Sequence, residues 1–134
     1  MSFVFSPILA YNTAGSTDET IQLNKSNESF TKTIVPKSIR DIVIDATNKY
    51  GVSFNQVWTT IGCETKYTYN PTIQSEALRP DGTREKSYGL AQIYLPAHPE
   101  VSYEQAIDPY FAADFIAKNW SKHKTMWSCW NNKQ

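Results

Sequence analysis

The sequence predicts a mainly α, single-domain fold, and three observations carry that expectation. Apolar residues recur at helical spacing from residue 39 to 61. They do so again from 111 to 120, and no stretch alternates apolar and polar residues over a useful strand length. A chain of 134 residues also fits one domain with one core. Its formal net charge is zero, so the whole-chain balance points to neither nucleic acid nor an anionic membrane surface. No run approaches the roughly 20 apolar residues that cross a bilayer, so no integral membrane segment is expected.

The elements follow in order. Residues 1–10 are apolar, but they lack a basic stretch and are interrupted by Pro7, which makes a poor signal peptide. From Tyr11 to Thr33 the chain is rich in Ser, Thr and Asn without sustained periodicity. Residues 1–35 are therefore expected to be an extension or linker, poorly ordered and without a hairpin, and residues 36–134 the folded domain. Pro36 suits a first helical turn. Behind it Ile39, Ile42, Val43, Ala46 and Tyr50 make one stripe, which Gly51 is placed to end. Ser53 and Gln56 have capping-box spacing for a second helix carrying Phe54, Val57, Trp58 and Ile61. Residues 68–86 read as loop. Ser87 could cap a short helix with Leu90, Ala91 and Ile93, stopped by Pro96. Ser102 and Gln105 form a further capping box. Asp108-Pro109 then opens a long helix bearing Phe111, Ala112, Phe115, Ile116 and Trp120.

Glu64 is the residue in this pattern that points to chemistry. It lies seven residues after Val57 and three after Ile61, on their inward face. A carboxyl there is costly unless it has a purpose. Apolar neighbours, the negative end of its own helix and nearby rings favour the uncharged acid, as glycosidic-bond cleavage requires. A buried Arg or Lys partner, or a turn outward to solvent, would equally explain an acid at this place. Asp81, Glu85 and Asp108 are the candidates for a second carboxylate, and none has an informative spacing. Ser87, His98 and Asp108 hold the ingredients of a hydrolytic triad but lack the elbow motif. Two cysteines, Cys63 and Cys129, and two histidines show no metal-ligand spacing, so no metal site and no organic cofactor are expected. The cysteines are either a long-range bridge or two buried thiols. Tyr67, Tyr69, Tyr88, Tyr94, Trp127 and Trp130 could pack in the core or stack on sugar faces.

Four segments, taken in order, resemble a known family. Ile61-Gly62-Cys63-Glu64-Thr65, Ser87-Tyr88-Gly89-Leu90-Ala91-Gln92-Ile93, Ala106-Ile107-Asp108-Pro109 and Trp127-Ser128-Cys129-Trp130 are similar to segments of the lytic transglycosylase domain. That domain shares a lysozyme-like fold with goose-type lysozymes. The resemblance implies a helical lysozyme-like domain with a substrate groove, cleaving the MurNAc-GlcNAc β-1,4 bond of peptidoglycan glycan strands. Glu64 matches the catalytic acid/base, and Thr65 stands where the family usually has serine. Ser87 and Gln92 match groove residues. With Thr65, Tyr67, Tyr88, Gly89, Tyr94 and Trp127 they form the expected substrate-binding set. Ala91 replaces a frequent methionine, and the tyrosine that supports the acid in many members has no counterpart here. The resemblance also implies a Cys63–Cys129 disulfide. It further implies a monomer outside the cytoplasm, whether secreted, periplasmic or virion-associated. A non-catalytic peptidoglycan-binding or assembly component on the same fold is the alternative.

Overall fold

Between Pro36 and Lys37 the chain divides into two units, and the computed structural model describes residues 19–24 and 31–131. The first unit differs from expectation. Strands β1 (Glu19–Asn24) and β2 (Thr31–Pro36) pair antiparallel as a hairpin, with Glu19 opposite Pro36 and Asn24 opposite Thr31. The physical reason is composition. Among the Ser, Thr and Asn that made this stretch look like a polar linker, Thr is β-branched, as are the Ile and Val residues between them, and β-branched residues suit a pleated ribbon. Pro36 closes β2 and does not open a helix.

The second unit is helical. Helix α1 (Ile39–Tyr50) begins at Ser38, whose hydroxyl accepts the Asp41 N–H at 3.1 Å. It ends at Gly51, in the left-handed region at φ 63°. Helix α2 (Phe54–Glu64) starts at Ser53, whose hydroxyl takes the Gln56 N–H at 3.4 Å. The Gln56 side chain does not reach back to complete a box; its carbonyl accepts Trp120 Nε1 at 3.2 Å. Helix α3 (Tyr103–Ala106) carries the full reciprocal box of Ser102 and Gln105. Helix α4 (Pro109–His123) is capped by Asp108, whose Oδ1 accepts two N–H groups, at 2.8 and 3.2 Å. A 3-10 turn (Lys124–Met126) then leads to the four-residue helix α5 (Ser128–Asn131).

The core forms where α1, α2 and α4 face one another. Ile42, Val43 and Ala46 meet Val57 and Ile61 from one side and Ala112, Ala113, Ile116, Ala117 and Trp120 from the other. Alanine at 46, 112, 113 and 117 lets helix backbones approach closely, while the branched residues fill the remaining space. The contact is also fixed at its rim, where Asp114 on α4 accepts from Lys49 Nζ at 2.7 Å and from Tyr50 Oη at 2.9 Å. No described helix is long and apolar enough to cross a membrane.

Residues 87–94 depart from the expected short helix. They make a small hairpin of β3 (Ser87–Tyr88) and β4 (Ile93–Tyr94), with Gly89–Gln92 as its turn. Leu90, Ala91 and Ile93 enter the core from this turn. Gly89, at φ 76°, breaks any helix at that point, and the buried side chains are set by a tight reversal rather than by helical period.

Candidate active site around Glu64

Glu64 is the last residue of α2 and is half-buried. Its Oε1 accepts the backbone N–H of Cys129 at 3.0 Å and the Ser128 hydroxyl at 3.3 Å. No described residue bonds Oε2, and no described Arg or Lys pairs with this carboxylate. Among the described residues, therefore, no buried cation accounts for an acid at this place. Cys63 is disulfide-bonded to Cys129 across a Cα–Cα distance of 5.9 Å and 66 residues of sequence. The two neighbours Cys63 and Glu64 are thus both joined to Cys129, one by a covalent bond and one by a hydrogen bond.

Beyond Glu64 the backbone is strained. Lys66, Tyr67 and Tyr69 lie at φ 52°, 60° and 51°, in a region that costs a non-glycine residue about 1–3 kcal/mol. Thr65 holds this reversal together. It is fully buried, its hydroxyl donates to the Ile61 carbonyl at 2.8 Å, and the same oxygen accepts the Tyr69 N–H at 3.1 Å. The chain can fold back this closely because residue 62 is glycine; a Cβ there would sit 2.5 Å from Tyr69 Oη. Tyr69 then stacks on Trp58 with centroids 4.1 Å apart, Trp58 on Phe54 at 5.7 Å, and the Arg40 guanidinium lies 5.1 Å above Phe54. Burial, aided by nearby Tyr67, pushes the Tyr69 phenol up. Tyr67 itself is 69% exposed.

The second motif is bonded on every side. Gly89 donates to the Ile73 carbonyl at 2.8 Å, and a Cβ on it would fall 1.8 Å from the Ala106 carbonyl oxygen. Gln92, at φ 46°, directs its amide nitrogen to the Gly89 carbonyl at 2.9 Å and the Ile73 carbonyl at 3.4 Å. Trp127 Nε1 donates to the Ala91 carbonyl at 2.8 Å. Ser87 is buried and donates to Glu85 Oε1. Tyr88 is half-buried, edge-on to Tyr103 at 5.0 Å.

The expected substrate set is divided by these bonds. Thr65, Ser87 and Gly89 are buried and face the fold, and Trp127 is only 4% exposed, with its one donor engaged. Each of these four meets its bonding or packing needs inside the fold. Gln92, Tyr94 and the edge of Trp127 line a cavity of about 230 Å³ together with His98, Phe115 and Met126. A second cavity of about 560 Å³ shares His98, Phe115 and Met126 and continues along α4 past Asp114, Lys118 and His123. Glu64 lines neither of these two. Among the described residues no cluster of three or more His, Cys, Asp or Glu is placed to hold a metal ion.

No protein-family model matches this chain, and no curated protein or solved structure matches it either. The geometry stands alone.

Two features of the site region escaped the sequence reading. One is the grip of Ser128 and the Cys129 N–H on Glu64, for which a 64-residue separation leaves no local signal. The other is the pair of adjoining cavities on α4, whose walls come from the stripe residue Phe115 and from the 3-10 turn at Met126. The half-burial of Phe111 and Phe115 was foreshadowed by a stripe wider than one packing face needs.

Proposed function

We propose that the domain cleaves the glycan strands of peptidoglycan, with Glu64 as general acid and then general base. The observation that carries this reading is the state of the Glu64 carboxylate. It is half-buried, without a described cation, with one oxygen held and the other unbonded, at a helix end followed by strained backbone. In the mechanism Glu64 protonates the glycosidic oxygen, and positive charge develops at the sugar's anomeric carbon. The substrate's own N-acetyl group shields that centre. Glu64, now a carboxylate, takes a proton from the sugar's C6 hydroxyl or from water, giving an anhydro or a reducing end. Tyr67, Tyr88, Gln92 and Tyr94 are the partly exposed members of the expected set left to contact sugar. The Cys63–Cys129 disulfide supports an oxidising compartment outside the cytoplasm, where this polymer lies.

The test is digestion of purified cell walls followed by mass spectrometry of the released fragments. Wild-type protein is expected to release disaccharide-peptides, and Glu64→Gln to release none above background while still sedimenting with the walls. Equal release by both proteins would refute the reading.

One observation favours a second reading, a non-catalytic wall-binding or assembly component. Most polar groups of the Ser87–Gln92 motif are engaged inside the fold, and Glu64 lines neither of the two cavities described. Wall binding with no released fragment from the wild-type protein would select it.

A further inference from the structure

Helix α5 is too short to persist by its own hydrogen bonds. It is anchored from both ends of its connection. Trp127 Nε1 bonds the Ala91 carbonyl, and Trp130 packs edge-on against Trp120 at 5.2 Å. The Cys63–Cys129 bond then fixes its first turn beside the end of α2. What this anchoring presents to Glu64 is specific: one backbone N–H, from Cys129, and one hydroxyl, from Ser128, both on the same carboxylate oxygen. A glutamate side chain has three rotatable bonds, and leaving them free costs rotamer entropy whenever one geometry is required. Holding Oε1 from two donors restricts those rotations and leaves Oε2 as the oxygen free to meet a ligand.

We infer that Ser128 and the Cys129 N–H are positioning groups for Glu64, and that the Cys63–Cys129 disulfide locks them in place so that thiol reduction releases the carboxylate. The inference rests on the reading of Glu64 as the acid. The support is closed into a ring. The backbone joins Cys63 to Glu64, the carboxylate accepts from Cys129, and the disulfide returns from Cys129 to Cys63. A dithiol reductant opens it. Two electrons pass to the S–S bond, each sulfur takes up one proton, and the dithiol closes to its own cyclic disulfide. After that step the indole contacts still hold α5, but the hydrogen bonds to Glu64 lose their covalent brace.

The test uses the full chain and soluble glycan fragments. Ser128→Ala is expected to lower kcat about tenfold to 100-fold with KM unchanged, matching the loss of one hydrogen bond to a charged group. Ser128→Thr, which restores a hydroxyl, should return most of that loss. Treatment with a dithiol should lower kcat at least tenfold while near-ultraviolet circular dichroism stays native-like, and reoxidation should restore it. A readout independent of turnover is amide hydrogen exchange at Cys129. It should be slow in the oxidised protein, and at least tenfold faster in Glu64→Ala and in the reduced protein. If Glu64→Gln abolishes cleavage but Ser128→Ala and the reduced protein turn over like wild type, the positioning role is overturned. If Glu64→Gln still cleaves, the reading of the acid fails instead. Cys129 exchange then decides the clamp alone, and equal rates in wild type and Glu64→Ala would overturn it.

Discussion

The stretch after Glu64 and the turn at Gly89–Gln92 both carry non-glycine residues in the left-handed region, yet they differ in what their polar groups do. In the turn, Gly89, Gln92 and the Ala91 carbonyl all bond to the surrounding fold, and even the space of a methyl group is occupied by the Ala106 carbonyl. At residues 64–69 the strain is similar, but one carboxylate oxygen is unbonded by any described residue and Tyr67 stands exposed. Strain that closes on itself marks scaffold. Strain beside an acid with one oxygen unbonded by any described residue is what motivates the proposal for Glu64.

Substitutions can break that comparison from either side. The largest effect belongs to the scaffold: Gly89→Ala must fit a Cβ against the Ala106 oxygen at positive φ. It is expected to cost more than about 4 kcal/mol, a large share of the stability of a chain this size. Gly51→Ala, where φ is also positive but the space is open, should lose only about 1 kcal/mol in the same denaturant titration. On the other side, Glu64→Gln should leave the melting temperature within a few degrees. It should lower cleavage by about 100-fold to 10,000-fold in a fragment-release assay, the range for loss of a general acid. A large stability loss in Glu64→Gln would place that residue with the scaffold instead.

Thr65→Val should cost about 1–3 kcal/mol in chemical denaturation, because the buried Tyr69 N–H loses its acceptor. Lys66→Gly is expected to stabilise by up to about 1 kcal/mol. Glycine relieves the left-handed φ, and the exposed ion pair with Glu76 that is lost contributes little. The smallest effect is in the loop before β3. The Thr83 hydroxyl, then the Thr83 N–H, hold the Asp81 carboxyl below its usual range. Since the folded value is depressed, its contribution is present at neutral pH and is lost as pH falls through that value. Amide exchange across residues 79–84, corrected for intrinsic rates, should therefore rise below about pH 4.

Much of the helical unit was legible. The α1 stripe, the caps at Ser53, Ser102 and Asp108, and the stop at Gly51 are local choices, and each is read within a turn of sequence. Glu64 stood out for the same reason, as an acid out of place in an apolar period. Less legible were the two hairpins. Strand pairing joins residues that local periodicity does not relate, and a turn that buries Leu90 and Ala91 imitates a short helix in one dimension. Burial within the expected substrate set is decided by what arrives from elsewhere. The Trp127 N–H, for example, goes to the Ala91 carbonyl 36 residues upstream.

The sequence by itself determined the caps and stops of several helices and drew attention to Glu64, since spacing and capping act over three or four residues. Only the tertiary structure decided which oxygen of Glu64 is held, that Cys63 meets Cys129, and which motif side chains face inward. Those outcomes depend on distant chain segments being packed into contact, 36 residues apart for Trp127 and Ala91 and 64 to 66 for the Glu64 and cysteine contacts, and no local preference encodes that.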